Sequence, residues 1–561
     1  MMFAREALFL NVFLLVALVL FVWDRPANRT WTRLAAVLLL NALTLWYAVW
    51  RCTCTVPAFD WTFAAIWPWV FVSFEMAVLV YEAWTLFVLV RLTDHSPQAD
   101  LYERELRREP SLPTVDVFVP TYNEKREVLE ETIRGALALD YPAGRVKIWL
   151  LDDSRRPWLK DLCREQNVGY LARPTNEHGK AGNLNYAFPR TDGELILVID
   201  ADFILRPDFL YRTIGFLVYQ NDIGLVQTPQ HFRNPDPIQH NLLGSRAWTE
   251  EQHFFMTVVQ SARDSHDNAF CVGSGWVVKR SCLDELGGFP QASICEDLEI
   301  SYVLRGRGVR TLFLNEALAI GLAPESVGEY VKQRVRWCSG TLQHTYLETG
   351  PFRGRGLTLL DRIFYLEPIF YWLTYPFIVL VLLAPIVFWY TGVPAVVARG
   401  DEGALIMGPR FLAAYILTYW LSHRKVIPPI AMVHKALPAF HLTAAILKAL
   451  VKPFGSPFQV TTKGEARDKV VVQWSFLWIF LALAVALLGG MAMNLAGYYE
   501  VVEIGDFTAL DVFWSLFCLA VFLLCAVVCV ELPKEGDSTQ QEVQRASPFA
   551  SLKAVLGRIV G

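Results

Sequence analysis

Charge is scarce in this sequence. Only 19% of its 561 residues are charged, and 51 Lys and Arg nearly balance 55 Asp and Glu, leaving a formal net charge of −4. No basic excess is available to meet a polyanion, so no nucleic-acid partner is expected. The ten cysteines form no metal array: Cys52 and Cys54 make a C-x-C pair and the others are scattered. Neither C-x-x-C spacing nor a histidine pair at zinc distance accompanies them, so they read as mostly buried thiols in a reducing compartment. The first apolar run lacks a strongly basic start and a small-residue cleavage site, which favours a retained span over a signal peptide. In place of charge the chain is 54% hydrophobic and 13% aromatic. That is too apolar for an ordinary soluble protein and too charged for a wholly intramembrane one.

The apolar residues fall in two groups of runs. Residues 7–23, 34–50 and 64–91 come first, and 364–391, 405–422, 472–495 and 510–530 follow a long gap. Most reach the length of about 20 residues that a helix needs to cross a bilayer. Arg25, Arg29 and Arg33 crowd the 24–33 loop, and eight Lys and Arg from Arg424 to Lys469 fill residues 423–469. The 496–509 loop is acidic, with Glu500, Glu503 and Asp506. Excess Lys and Arg mark the cytoplasmic side, which predicts seven spans with the N-terminus outside and the polar block 92–362 in the cytoplasm. Residues 430–452 are apolar but interrupted by Lys435, Pro438, His441 and Lys448, as in an amphipathic helix lying on the inner surface. The expected order is three spans (1–92), a cytoplasmic domain (93–345), an interfacial segment (346–362) and two spans (363–425). An interfacial helix with a loop (426–471), two spans (472–531) and a cytoplasmic tail (532–561) complete it.

Within the polar block, residues 115–122, 146–152 and 194–200 are short β-branched runs that end in polar residues, separated by helical patterns such as 126–139. Such alternation predicts a mostly parallel α/β sheet, whose ligands bind outside the carboxyl ends of the strands. Those ends carry TYNE (121–124), DDS (152–154) and DAD (200–202). An isolated Asp-x-Asp more often caps a turn than holds a metal. With Asp152 and Asp153 ending another strand, Asp200 and Asp202 instead read as carboxylates for one Mg²⁺ or Mn²⁺ bridging a diphosphate. Gly179 and Gly182 flank Lys180, either as a phosphate cradle or as a glycine-rich turn. Glu296 and Asp297 precede a helical pattern, where they serve the helix dipole or act as a general base. A helix N-terminus lowers a carboxyl pKa and desolvation raises it, so the second role requires burial to win.

Together TYNE, DDS, HGKAGNLN (178–185), DAD, FCVGSG (270–275), CED (295–297) and QRVRW (333–337) resemble the processive family-2 glycosyltransferases. The branch they resemble is that of bacterial cellulose synthase catalytic subunits and related β-glucan synthases. FQVTTKG (458–464) is similar to the FxVTxK gating loop of that branch. The resemblance implies an α/β GT-A domain inserted in a polytopic helical membrane domain of the bacterial inner membrane. It implies a UDP-sugar donor, a growing polysaccharide, Mg²⁺ or Mn²⁺, the lipid bilayer and periplasmic or regulatory subunits as partners. Thr121, Tyr122, Glu124 and Asp152 or Asp153 then contact the uridine, Lys180 the diphosphate, and Gly273 borders the substrate. Asp200 and Asp202 hold donor and metal, and Asp297, beside Glu296, is the base. Gln333, Arg336 and Trp337 border donor and acceptor, and Phe458, Val460, Thr461 and Lys463 close over the nucleotide.

On a helix, Gln333, Arg336 and Trp337 share one face, which leaves Arg334 for the lipid surface. Two departures stand out: Cys295 replaces the usual Thr of Thr-Glu-Asp, and residues 531–561 contain no pattern of a cyclic-di-GMP-binding PilZ domain. The reading is an inverting, processive β-glucan synthase using UDP-glucose. Curdlan-type β-1,3-glucan, chitin, hyaluronan and poly-N-acetylglucosamine synthases fit the same motifs. A non-processive transferase acting on a lipid acceptor, or a non-enzymatic scaffold, is the rival of another class.

Overall fold

The strand Val115–Thr121 (β1) is buried along nearly its whole length, as a strand covered on both faces must be. It belongs to a computed structural model that describes residues 2–245, 247–398, 400–455, 467–497 and 509–533. The other strands of the polar block are β2 (Val146–Asp152), β3 (Gly169–Leu171), β4 (Leu195–Val198), β5 (Ile204–Leu205) and β6 (Ile223–Gln227). They are followed by β7 (Gln230–Phe232), β8 (Trp276–Lys279), β9 (Arg310–Phe313) and β10 (Ala319–Gly321). Seven of them form one sheet in the order β3-β2-β1-β4-β8-β6-β9, and β5-β10-β7 form a small second one. The β3-β2-β1-β4 half is parallel, and β8 runs antiparallel between β4 and β6. The chain leaves β1 toward β2 on one side and returns to β4 on the other. This reversal opens a crevice at the carboxyl ends, where open α/β sheets bind ligands. Register brings Thr121 level with Asp152.

Among the described residues, five helical stretches are long and apolar enough to cross a membrane: Thr30–Cys54, Phe63–Val88, Leu359–Thr391, Trp474–Leu495 and Leu510–Val528. Of the seven expected spans, the remaining two are shorter over the described residues, Phe9–Trp23 and Leu405–Leu421. The expected single interfacial helix is instead two, Pro428–Ala436 and Ala439–Val451, bent by 52°. Pro438 lies at the break, where a ring without an N–H ends helical bonding. The pair buries Val433, Ala436, Leu442 and Ile446 among other helices and leaves Leu447, Leu450 and Val451 exposed.

Buried ions fasten the sheet domain to the long helices. Arg263 pairs with Glu367 at 2.7 Å and donates to the Phe364 carbonyl at 2.9 Å. Arg305 reaches Asp361 at 2.8 Å, and Glu531 accepts from the Val327 amide at 2.6 Å while pairing with Arg467. Breaking such a buried pair strands a charge, so these contacts fix how the crevice faces the helices.

Candidate active site

At the carboxyl end of β2, the two aspartates of DDS face different arginines. Asp152 is fully buried and accepts from the Arg156 amide at 2.6 Å, the Arg156 side chain at 3.1 Å and the Tyr170 hydroxyl at 3.0 Å. Arg156 in turn donates to Thr121 Oγ1 at 2.7 Å and to the Glu124 carbonyl at 2.9 Å. Glu124 accepts from the Thr121 hydroxyl and from the Tyr122 amide at 2.8 Å. TYNE and DDS are thus one network, and the Tyr122 ring stands 40% exposed at its rim. Asp153 binds Arg173 through both oxygens, and the same guanidinium reaches the carbonyls of Glu177 and Gly179. Each DDS carboxylate is therefore spent on shaping a loop. Arg156 and Arg173, which order these loops, carry no motif that singles them out in the sequence.

Lys180 stands in the first turn of the helix Gly179–Ala187. Its ammonium donates to Asp200 and to the Gly273 carbonyl. Burial lowers its pKa, but the adjacent Asp200 and Glu296 outweigh that and raise it, keeping the lysine charged. Asp200 follows the end of β4, its amide donating to Ser274 Oγ at 3.0 Å, and Asp202 lies two residues on, almost buried. The set offers only oxygen donors around one strand end, which fits a hard divalent cation such as Mg²⁺ or Mn²⁺.

Gly273 is where this cluster meets the acidic motif. Its φ of +99° lies in the region that side chains avoid, and a Cβ there would sit 2.7 Å from Asp297 Oδ2 and 4.0 Å from Lys180 Nζ. Glu296 and Asp297 begin the helix Glu296–Gly306, facing the cleft with no ion pair among the described residues. Desolvation raises both carboxyl pKa values; the nearby Asp297 adds to the rise of Glu296, while Lys180 and Arg336 oppose it. Burial therefore wins over the helix N-terminus. Cys295, standing where threonine was expected, leaves the loop well held. Ser293 Oγ accepts from the Cys295 amide at 3.0 Å, and Gln343 accepts from the Ile294 amide at 3.0 Å. The thiol packs against Gly340, where a Cβ would collide with Sγ.

QRVRW lies on the helix Val327–Gln343, the condition under which Gln333, Arg336 and Trp337 share a face. Gln333 is buried and accepts from Arg334 at 2.6 Å. The Arg336 charge acts on Glu296 and Asp297. Arg334 departs from expectation: it is buried away from any lipid surface, pairs with Glu251 at 3.0 Å, and spreads over the Tyr330 ring at 3.7 Å. Helical spacing gives the face of a residue but not the neighbour it meets. A cavity of about 440 Å³ continues from Asp297 past Trp337 and Arg334 toward Glu367 and Tyr371 on the long stretch Leu359–Thr391 and Lys435 on the helix Pro428–Ala436. Phe458, Val460, Thr461 and Lys463 lie outside the described residues.

Residues 113–340 match the family model described as glycosyltransferase like family 2. The chain is 32% identical over 500 residues to cellulose synthase 1 of Komagataeibacter xylinus, covering 87% of this chain and 31% of that protein. It is 30% identical over 512 residues to the cellulose synthase catalytic subunit (UDP-forming) of Pseudomonas fluorescens strain SBW25, covering 89% and 67%. The chain thus spans about a third of the length of the first relatives it matches. Among solved structures, a mannosyltransferase from Pyrobaculum calidifontis in complex with GDP-Man and Mn²⁺ is similar at 18% identity. It covers 67% of this chain and 99% of that one with a TM-score of 0.41, which adds nothing to the sheet order.

Proposed function

The chain belongs to the family of cellulose synthase catalytic subunits, and on that premise we propose that it polymerises a β-linked glucan from UDP-glucose, processively and with inversion. The observation that carries the reading is the meeting of Asp297 and Lys180 at Gly273, at the head of a cavity that leads past Trp337 into the apolar helices. A raised carboxyl suits proton abstraction, and a retained ammonium beside it suits a departing diphosphate.

Asp297 takes the proton of the acceptor's terminal hydroxyl. That oxygen forms the bond to C1 of the donor as the bond from C1 to the diphosphate breaks, and UDP leaves with the electron pair. In-line displacement of an α-linked donor yields a β linkage. Lys180 and Arg336 offset the charge that develops on the diphosphate. A Mg²⁺ or Mn²⁺ held by Asp200 and Asp202 would supply further positive charge there. Thr121, Tyr122 and Glu124 border the uridine, with Asp152 and Asp153 acting through Arg156 and Arg173. Gln333 and Trp337 border the acceptor sugar, the indole offering a stacking face.

In this reading the sheet domain faces the cytoplasm of a bacterial inner membrane, and the segments keep the boundaries expected from the sequence. The cavity is the mouth of a channel for the product, and accessory subunits act on the periplasmic side or in regulation. Radiolabelled UDP-glucose and UDP-N-acetylglucosamine, supplied separately to purified protein with Mg²⁺, test the donor. Incorporation from UDP-glucose into material cut by an endo-β-1,4-glucanase is expected. A product cut only by a β-1,3-glucanase points to the curdlan type, and no polymer from UDP-glucose rejects the proposal.

A further inference from the structure

Away from Asp200 and Asp202, the fold collects a second and chemically different donor set. His231 stands in the middle of β7, paired in register with Ile320 of β10. Glu250 and His253 lie 19 and 22 residues later, two residues before and one residue inside the start of the short helical segment Gln252–Phe254. One ligand atom from each of the three lies within 4.8 Å of the others. All three are half-buried, no hydrogen bond or ion pair joins their side chains to another described residue, and the two imidazole rings lie 6.0 Å apart, tilted by 59°. Glu250 also lines the wall of the cavity that holds Trp337. The sequence hides this set because 22 residues and a change of element separate the two histidines.

We propose that His231, Glu250 and His253 form a site for a borderline divalent transition metal of the Zn²⁺ class. Two imidazoles and a carboxylate suit such an ion, whereas the oxygen-only pair Asp200 and Asp202 suits Mg²⁺ or Mn²⁺. A tetrahedral ion with bonds of about 2.1 Å brings its ligand atoms to about 3.4 Å, so the three side chains close by at most about 1.4 Å on binding. Burial lowers both histidine pKa values, His253 to about 4, and so keeps the imidazoles in the neutral form that binds metal. Burial raises Glu250 to about 6 against the opposing charge of Lys425, and a bound dication supplies further counter-charge. The exposed Lys425 and His423, from the loop after Leu421, face the cluster and oppose a cation. Their repulsion selects against ions held by charge alone and favours one held by nitrogen coordination. The ion would clamp the segment before Gln252 onto β7, and so fix the wall of the cavity that Glu250 and Glu251 form.

Full-length protein carrying no polyhistidine tag, stripped with chelator in detergent, tests this with Zn²⁺ and Co²⁺ alone in the presence of excess Mg²⁺. Roughly one equivalent of Zn²⁺ retained through desalting is expected, with a Co²⁺ visible spectrum of low-coordinate nitrogen and oxygen ligation. Both are expected to vanish in H231A/H253A and to persist in D200N/D202N. No Zn²⁺ retained by the wild type, or equal retention by H231A/H253A, overturns the proposal. Should H231A/H253A fail to fold, the wild-type Co²⁺ spectrum decides: strong d–d absorption supports the site and an aquo-ion spectrum overturns it. None of these readouts depends on the glucan reaction, so failure here leaves that reading untouched.

Discussion

Two pairs of adjacent acidic residues face the same crevice with opposite fates. Asp152 and Asp153 are each locked to an arginine, Arg156 or Arg173, and order the loops at the carboxyl ends of the strands. Glu296 and Asp297 have no ion pair among the described residues, and desolvation raises both. Both are adjacent carboxylates at a strand or helix end, Asp152 and Asp153 where a strand closes and Glu296 and Asp297 where a helix opens; their fates follow the partner each meets. A carboxylate with a guanidinium is held as scaffolding, whereas one denied a partner retains a proton affinity that chemistry can use.

The sharpest way to break this comparison is to remove the unpaired acid. Asp297→Asn should lower UDP release about 10²- to 10⁴-fold, with UDP-glucose binding preserved in calorimetry. A loss of binding together with turnover would instead make Asp297 a donor ligand. Arg173→Met tests the other pair through stability. It leaves Asp153 buried and unpaired at a cost of about 3–5 kcal/mol, read as a lower thermal midpoint. Adding Asp153→Asn should recover much of that loss, and an unchanged midpoint in both would show that the pair is not structural.

Smaller effects sharpen the picture. Gly273→Ala forces a side chain into positive φ at a stability cost of about 1–2 kcal/mol, and by displacing Asp297 at a similar cost in the transition state slows turnover about 5- to 30-fold. That slowing should appear in kcat more than in KM. Last is the pH profile. Because both acidic-motif carboxyls are raised, they hold protons to a higher pH than an ordinary carboxyl near about 4. The base is lost as pH falls through that raised range, so kcat/KM should decline on the acid side well above pH 4. Asp297→Asn should flatten that limb.

The sequence made legible what local pattern encodes. Apolar strands ending in TYNE, DDS and DAD announced the sheet and its crevice, and i, i+3, i+4 spacing placed Gln333, Arg336 and Trp337 on one helical face. It concealed what only tertiary structure creates. Arg156 and Arg173 lie 4 and 20 residues from their aspartates, so their role appears only once the loops close. Arg334 was lost for the same reason, since Glu251 lies 83 residues away. The conflict over Asp297, dipole against desolvation, had no answer without the enclosing cleft.

Processivity is the claim most directly open to measurement. Purified protein at high dilution with excess UDP-glucose and Mg²⁺ is stopped at low conversion and its product sized. Long polymer is expected already at the earliest time, with unextended acceptor remaining. Products that lengthen one sugar at a time across all acceptors, or a single glucose on lipid, would contradict processivity.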